Sequence, residues 1–506
     1  MSWTIDVMSA SVAEAASGVA LRKAGNLQAQ AHETHTGLVL LVGDRAYKVK
    51  KPIITDFLDF STPELRAAAC EREVALNRRL SPDSYLGVGH FTDPDGGSVE
   101  PVVVMRRYPD SLRLASMVRD GRPVLDELDA VASRVAEFHR DATRTDAVEA
   151  CGRPGAVAAR WRQNLDQLAH YTGRGVLEEL VREIRRLAER FMAGRAELFD
   201  RRIAEGRVVD GHGDLLADDI FCPPDHLAIL DCLEFDDGLR YVDAIDDAAF
   251  LAMDLEFLGR PDLAELFLDL YRRHSADTAP SALTHFYVAY RAVVRAKVDC
   301  IRADQGHGEA RADVRRHLDI ALRHLRAATV QLIIVGGGPG TGKSTLSRAL
   351  AEQLAAEVIS TDDIRKQMQR AGTITGSVGE VNAGLYTPQN VSAVYAEVLR
   401  RAANALHSGR SVILDGTWRN TEQRERARRI ADRAAVPLVI LTCSVPLDEA
   451  AHRIDTRSDT ASDATPVIAA AIAAEPGADH GGHLIDTTRP LADSVAEAQQ
   501  ICCTAI

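Results

Sequence analysis

The sequence predicts a multidomain chain of mixed α/β and α+β class, with a two-lobed N-terminal half and a C-terminal half built on a parallel sheet. Three observations predict it. At 506 residues, 46% hydrophobic and 26% charged, the chain is globular in composition but too long for one ordinary core, and about two to four domains are expected. Residues 38–106 read as strands with a helix between them, and residues 126–327 as helices with one interruption. From 331 onward the text restarts as strand, glycine-rich turn, helix, strand and helix, the alternation of a parallel sheet. The boundary falls at 327–331 and separates a domain of residues 1–327 from one of residues 328–506.

The first lobe opens with LVLLVGDRAYKVK at 38–50, two short strands about the turn Gly43–Asp44. A helix is expected over 63–80, with Pro63 near its start and Leu65, Ala69, Val74, Leu76 and Leu80 at helical spacing. VEPVVVMRR supplies another strand. Helical spacing then runs from 126 to 206, breaks at 208–238 into two strand-like stretches with acid-rich connections, and resumes to 327. Chemistry gathers at such interruptions. No Gly/Ser- or Pro-rich spacer follows the helix at 309–327, so it is expected to feed the next strand directly. Each half has its own periodic apolar pattern, which predicts that each folds alone.

A net charge of −13 disfavours binding to a nucleic-acid backbone. No apolar run reaches the roughly 18 residues of a membrane span, and no basic-then-apolar leader is evident; a cytoplasmic protein without a membrane partner is expected. The eight cysteines are dispersed without CxxC spacing, which predicts buried reduced thiols. Only seven of the 60 basic residues are lysines, and three of them are Lys48, Lys50 and Lys51.

The stretch 337–345, GGPGTGKST, satisfies GxxxxGK[ST] between an apolar strand, LIIV, and a helical stretch, TLSRALAEQL. This motif wraps backbone N–H groups around phosphates. Gly337, Gly338, Pro339, Gly340, Thr341 and Gly342 form the loop, Lys343 reaches the β- and γ-phosphates of ATP, Ser344 supplies a hydroxyl to Mg²⁺, and Thr345 opens the helix. Asp415 closes the apolar strand VILD and is a metal-side partner or a solvent-facing turn acid. Asp362 and Asp363 stand at a strand end, facing substrate or capping a helix, with Arg365 in the following turn. Arg453 and Arg457, four apart, form a phosphate-clamping lid or a solvated face. Together GGPGTGKS, STDDIRK, VILDGTW and HRIDTR resemble small P-loop kinases of the gluconate-kinase and zeta-toxin-like type over about 331–490. The resemblance implies a P-loop NTPase fold, Asp362 and Arg365 at the acceptor, Asp415 near metal or acceptor, and Arg453 and Arg457 in the lid.

In the other half, His212-Gly213-Asp214 followed by Asp231 after a short apolar strand resembles the aminoglycoside phosphotransferase and choline kinase family over about 30–300. That resemblance implies a bilobal protein-kinase-like fold, with Asp214 as catalytic base, Asp231 as Mg²⁺ ligand, Lys48 as the phosphate-binding lysine and Glu73 as its helical ion-pair partner. The family pattern places Asn five residues after the base; here Asp219 stands there and is taken as a metal ligand. No glycine-rich loop precedes Lys48, and Lys50 is an alternative to it. Asp236, Asp237, Asp243, Asp246, Asp247 and Asp254 either attract a cationic acceptor such as an amino sugar or cap helices and loops. Arg291 and Arg295 face phosphate or lie on the surface. The whole chain resembles actinobacterial bifunctional aminoglycoside phosphotransferase/ATP-binding proteins, which implies an ATP- and Mg²⁺-dependent kinase of a small hydroxyl-bearing molecule. A nucleotide sensor with a pseudokinase half and a nucleic-acid-end kinase are the alternatives.

Overall fold

The computed structural model describes residues 29–33, 37–54, 59–92, 99–173, 176–377, 383–456 and 482–506. The expected hairpin is β2 (Gly37–Val42) and β3 (Arg45–Lys50), extended by β1 (Ala29–Glu33) and, across α1 (Pro63–Asn77), by β4 (Tyr85–Thr92) and β5 (Val99–Arg106). The five strands form an antiparallel sheet in the order β1-β2-β3-β5-β4. Two of them, β1 and β4, escape the sequence reading: AQAHE has no apolar alternation, and two glycines weaken YLGVGHFT. The Thr62 side chain accepts from Leu65 N–H and Pro63 occupies the first turn, which fixes the start of α1. Its buried stripe is largely polar: Arg66, Cys70, Glu73, Val74 and Asn77. Arg66 is held there by a two-pronged pair with Glu100, at 2.5 and 2.7 Å.

The second lobe is helical, with α2 (Leu114–Arg119), α3 (Leu125–Asp141), α4 (Asp146–Gly152), α5 (Pro154–Ala169), α6 (Glu178–Ala193) and α7 (Ala196–Ala204) before the interruption. There the chain forms β6 (Val208–Asp210), β7 (Ile220–Phe221), β8 (Ala228–Ile229), α8 (Asp237–Arg240) and β9 (Tyr241–Asp243), in two small antiparallel ribbons, β6-β9 and β7-β8. Helices α9 (Ala244–Phe257), α10 (Pro261–Ser275), α11 (Ser281–Asp304) and α12 (Ala310–Ala327) complete the helical lobe. No helix among the described residues is long and apolar enough to cross a membrane. All eight cysteines are free, with Cys70, Cys232, Cys300, Cys443 and Cys502 buried and Cys503 exposed.

From α12 the chain passes directly into β10 (Leu332–Gly336), the central strand of a five-stranded parallel sheet. The rest comprises α13 (Lys343–Leu354), β11 (Glu357–Ser360), α14 (Thr361–Arg370), α15 (Pro388–His407), β12 (Val412–Asp415), α16 (Thr421–Arg433), β13 (Leu438–Ser444), α17 (Leu447–Thr456), β14 (His483–Asp486) and α18 (Leu491–Thr504). The order is β11-β12-β10-β13-β14. Every residue of β10 and β12 is buried, because helices cover both faces of a parallel sheet. The loop after β10 therefore opens at the carboxyl ends of the strands, where ligands bind in such folds.

Sequence periodicity predicts two halves that fold alone, yet one apolar core runs through the junction. Phe191, Phe199 and Phe286 of the helical lobe belong to the same buried cluster as Val398, Leu406 and Val412. Arg195, 1% exposed, donates to Ala434 O at 2.8 Å, and Arg201 donates to Ser408 Oγ at 2.9 Å. Gly194 lies so close to α16 that an added Cβ would stand 1.9 Å from Ala434 O. Its φ of −107° is open to any residue, so the glycine is required by contact alone. Gly194→Ala is expected to force the halves apart and to lower stability by about 1–3 kcal/mol. A thermal or urea melt of the full chain measures it, and Gly308→Ala, at an open position without a left-handed φ, serves as the control for substitution of a glycine without contact.

Candidate active sites

The N-terminal cleft is assembled on β3 and α1. Side chains two apart on a strand share a face, so Lys48 and Lys50 both point toward α1 and meet the wholly buried Glu73. Lys48 Nζ lies 2.9 Å from Glu73 Oε1 and 2.5 Å from Asp231 Oδ1, while Lys50 Nζ lies 2.5 Å from Glu73 Oε2 and also pairs with Glu234. Both lysines pair with Glu73, and of the two only Lys48 pairs with Asp231. Burial lowers the Lys48 pKa, but Asp231, Glu73 and Glu234 outweigh it and hold the ammonium well above its ordinary value. Asp231 sits at the cleft surface, its side chain 46% exposed, with a left-handed φ of 63°. That conformation is uncommon for a non-glycine residue. It is secured by N–H donation from Asp231 to Tyr85 Oη at 3.0 Å and from Cys232 to Asn77 Oδ1 at 2.8 Å.

Opposite this pair, the loop 211–214 is hung from one carboxylate. Asp247, wholly buried on α9, accepts from His212 N–H at 2.6 Å and Gly213 N–H at 2.9 Å, and contacts His139 Nε2 at 3.0 Å. Burial raises the pKa of Asp247, but His139, His212 and Arg291 reverse that and hold it below the usual carboxylate range. Ionised Asp247 only accepts, so His139 donates to it through Nε2, while its Nδ1 lies 2.9 Å from Tyr271 Oη. A Cβ on Gly211 would stand 2.6 Å from Asp247 Oδ2, which explains a glycine ahead of His212. His212 Nε2 reaches back to Leu230 O at 3.0 Å and ties the loop to the segment bearing Asp231.

Asp214 is thereby presented at the cleft. Burial pushes its carboxyl up to about 6, against the pull of Arg295. Burial, then Asp231 and Asp214, raise Asp219 well above the ordinary range. Carboxylates that repel one another in this way suit a divalent cation, which would relieve the repulsion. Among the described residues, however, no three His, Cys, Asp or Glu side chains converge into a complete metal cage.

Of the two readings of the acid-rich stretch, a lure for a cationic acceptor or caps of helices and loops, the contacts favour capping, joined by ion pairs. Asp243 pairs with Arg202 and Asp246 with Arg291; Asp254 accepts from Ala217 N–H, Asp236 caps α8, and Asp237 pairs with Arg72 and Arg240. Arg291, placed by sequence at a phosphate or on the surface, is instead 4% exposed and donates to Asp246 and to Gly213 O. The role of Asp247 was not foreseen, and its only signal was an acidic pair opening an apolar helix.

In the C-terminal half the loop 337–342 leaves β10 with Gly337, Gly340 and Gly342 at positive φ. Gly342 ends it directly before α13, whose first N–H groups have no side-chain cap. Pro339 is buried, Thr345 exposed, and Thr341 Oγ1 donates to Gly338 O at 2.8 Å. Lys343 Nζ lies 3.3 Å from Gly338 O. Ser344 Oγ donates to Asp415 Oδ2 at 2.6 Å, while Asp415 Oδ1 is buried without a protein partner. Burial raises the Asp415 pKa, and the Ser344 hydrogen bond and Lys343 oppose it. A hydroxyl beside a half-satisfied carboxylate at this place fits Mg²⁺.

Asp362 and Arg365 pair at 2.5 Å on the same helix. Arg365 is not in a turn, as the sequence suggested, because Thr361 already opens α14 under the Ser360 cap. The Arg365 guanidinium lies 4.5 Å from the Tyr386 ring centre. Arg453 pairs with Glu449 at 2.7 Å and donates to Thr487 O, and the Thr487 hydroxyl donates to Thr341 O at 2.7 Å, so α17 is bound to the loop. Arg457 lies outside the described residues. Tyr386 and Thr487 were missed by sequence reading, since neither stands in a motif.

Residues 332–475 match the family model described as an AAA domain. An adenylate kinase of Phocaeicola vulgatus is 28% identical over 128 residues, 25% of this chain and 66% of that protein. The solved structure of a choline/ethanolamine kinase family protein from Mesorhizobium loti covers 60% of this chain and 92% of its own, at 17% identity and a TM-score of 0.38. The Mycobacterium tuberculosis protein named "Uncharacterized protein Rv2004c" is 54% identical over 474 residues, 94% of this chain and 95% of that one. With identity at that level along almost all of both chains, this chain belongs to the same family as Rv2004c.

Proposed function

We propose that the chain is an ATP- and Mg²⁺-dependent phosphotransferase acting on a small hydroxyl-bearing molecule, composed of a kinase-like domain over residues 1–327 and a P-loop kinase domain over residues 328–506. The observation that supports it most is the Ser344–Asp415 hydrogen bond beside a glycine-rich loop at the carboxyl end of a parallel sheet. In that half the loop N–H groups and Lys343 hold the phosphates, Ser344 and Asp415 hold the metal, Arg453 closes from α17, and Asp362 and Arg365 hold the acceptor. Bound Mg²⁺ supplies charge neutralisation at the phosphates in both halves.

In the N-terminal half Lys48, steadied by Glu73, holds phosphate, and Asp231 with Asp219 holds the metal. Asp214 removes the proton of the acceptor hydroxyl. A carboxyl pushed up to about 6 is a stronger base than an ordinary aspartate and still ionised at neutral pH. One observation favours a second reading, a nucleotide-sensing pseudokinase half: Lys48 closes on Asp231 itself at 2.5 Å. The third expectation, a nucleic-acid-end kinase, has no support in the geometry described above.

Acceptor-dependent ADP release from the full chain, screened over sugars, amino sugars and polyols, tests the proposal. Lys343→Ala is expected to remove most ATP binding at the P-loop site, which calorimetry measures as the loss of one binding event per chain; unchanged affinity and stoichiometry would sink that assignment. Asp214→Asn is expected to slow phosphorylation at the N-terminal site by about 10² to 10⁴-fold with Mg-ATP affinity within a few-fold. The same substitution has a stability signature. The native state keeps the Asp214 proton up to about pH 6, whereas the unfolded chain releases it near the ordinary value of 3.8. Native protein therefore binds more protons between those limits, and stability contributed by this group falls as pH rises through the window. In metal-free buffer Asp214→Asn should gain on the parent by about 1–3 kcal/mol between pH 4 and 6 and hold that lead above it.

A further inference from the structure

The wall of the N-terminal cleft next to Asp214 is basic. Arg291 and Arg295 stand four apart on α11 and so share a face. Arg291 fixes that face against the loop, donating to Gly213 O at 3.1 Å and to Asp246 at 2.7 Å, while its Nη2, buried, has no partner. Arg295, one turn on, is half-buried and has no hydrogen-bond or ion-pair partner among the described residues. Its charge is felt at both Asp214 and Asp254. The carboxylates that would recognise an amine are the six acids already committed to arginines, backbone N–H groups and caps. Asp214, Asp219 and Asp231 remain, and these serve the base and the metal.

We propose that the acceptor phosphorylated beside Asp214 is an anionic hydroxyl compound, a sugar or polyol bearing a carboxylate or a phosphate monoester, held through Arg295. The inference rests on the reading of this cleft as a phosphotransferase site. An amine there would meet the unpaired Arg295 guanidinium, and a neutral sugar would leave it without an ion pair, whereas an anion satisfies it with charge-assisted hydrogen bonds. In the reaction the acceptor hydroxyl gives its proton to Asp214, its oxygen forms a bond to the γ-phosphorus, the bond to the β-phosphate oxygen breaks, and ADP leaves.

The test uses the full chain with Lys343→Ala, which silences the P-loop site, and four acceptors built on one gluco-configured ring: glucose, glucosamine, glucuronate and glucose 6-phosphate. ADP release is expected with one or both anions, and the pair tells carboxylate from phosphate. Arg295→Ala should raise KM for the anion about 10- to 100-fold, a penalty at least tenfold harder than on glucose, and Arg295→Lys should recover part of it. A second readout needs no turnover: glucuronate and glucose 6-phosphate should bind in calorimetry to protein loaded with Mg²⁺ and a non-hydrolysable ATP analogue, and bind at least tenfold more weakly after Arg295→Ala. Preference for glucosamine, equal effects of Arg295→Ala on all four, or absence of anion binding to the ATP-loaded parent overturns the inference and leaves the phosphotransferase reading standing. No turnover together with no ATP binding sensitive to Lys48→Ala overturns that reading, and the inference with it.

Discussion

The N-terminal site depends on the Asp247 carboxylate. Two consecutive backbone N–H groups, from His212 and Gly213, point at its oxygens, and His139 donates to it from a third direction. A buried carboxylate is costly unless it is satisfied, and here three donors satisfy it. The same bonds pin the loop to α9, so the position of Asp214 is set by a helix rather than by the loop itself. Through His212 and Leu230 O the constraint passes to Asp231, whose left-handed backbone would otherwise be free to relax. Lys48 and Glu73 then complete the cleft from the other lobe.

The P-loop site is built on a different principle. Its geometry is local, a strand that ends, a turn that only glycine can make and a helix that begins, and the sequence displays all three within residues 332–345. Only the approach of Asp415 and Thr487 requires the tertiary fold. That contrast explains how much of the two sites was legible beforehand. GGPGTGKST named its own neighbours, and strands such as LIIV and VILD announced themselves as continuous apolar runs. Lys48, Glu73, Asp214 and Asp231 stand out in the sequence only through a resemblance in the order of motifs, and in the fold Lys48 contacts both Glu73 and Asp231.

What was not legible was pairing across long separations. Asp246 and Arg291 are 45 residues apart, and nothing in either neighbourhood distinguishes a buried ion pair from two solvated charges. The acid-rich stretch therefore read either as a field for cations or as caps of helices and loops, and its acids are taken by guanidinium groups and backbone N–H groups. Strands β1 and β4 were lost for a related reason, since an edge strand needs little apolar alternation once a neighbour supplies its hydrogen bonds.

The direct passage from α12 into β10 also bears on how the chain is made. Domains emerge and fold from the N-terminus at about 5–20 residues per second, so the helical lobe waits some ten seconds or longer for the parallel sheet that shares its core. During that interval the apolar surface destined for Val398, Leu406 and Val412 faces the cytosol of the translating cell or a chaperone. A core shared by two halves leaves part of the first half's apolar surface uncovered until the second is made, and the ribosome's pace becomes part of the folding problem.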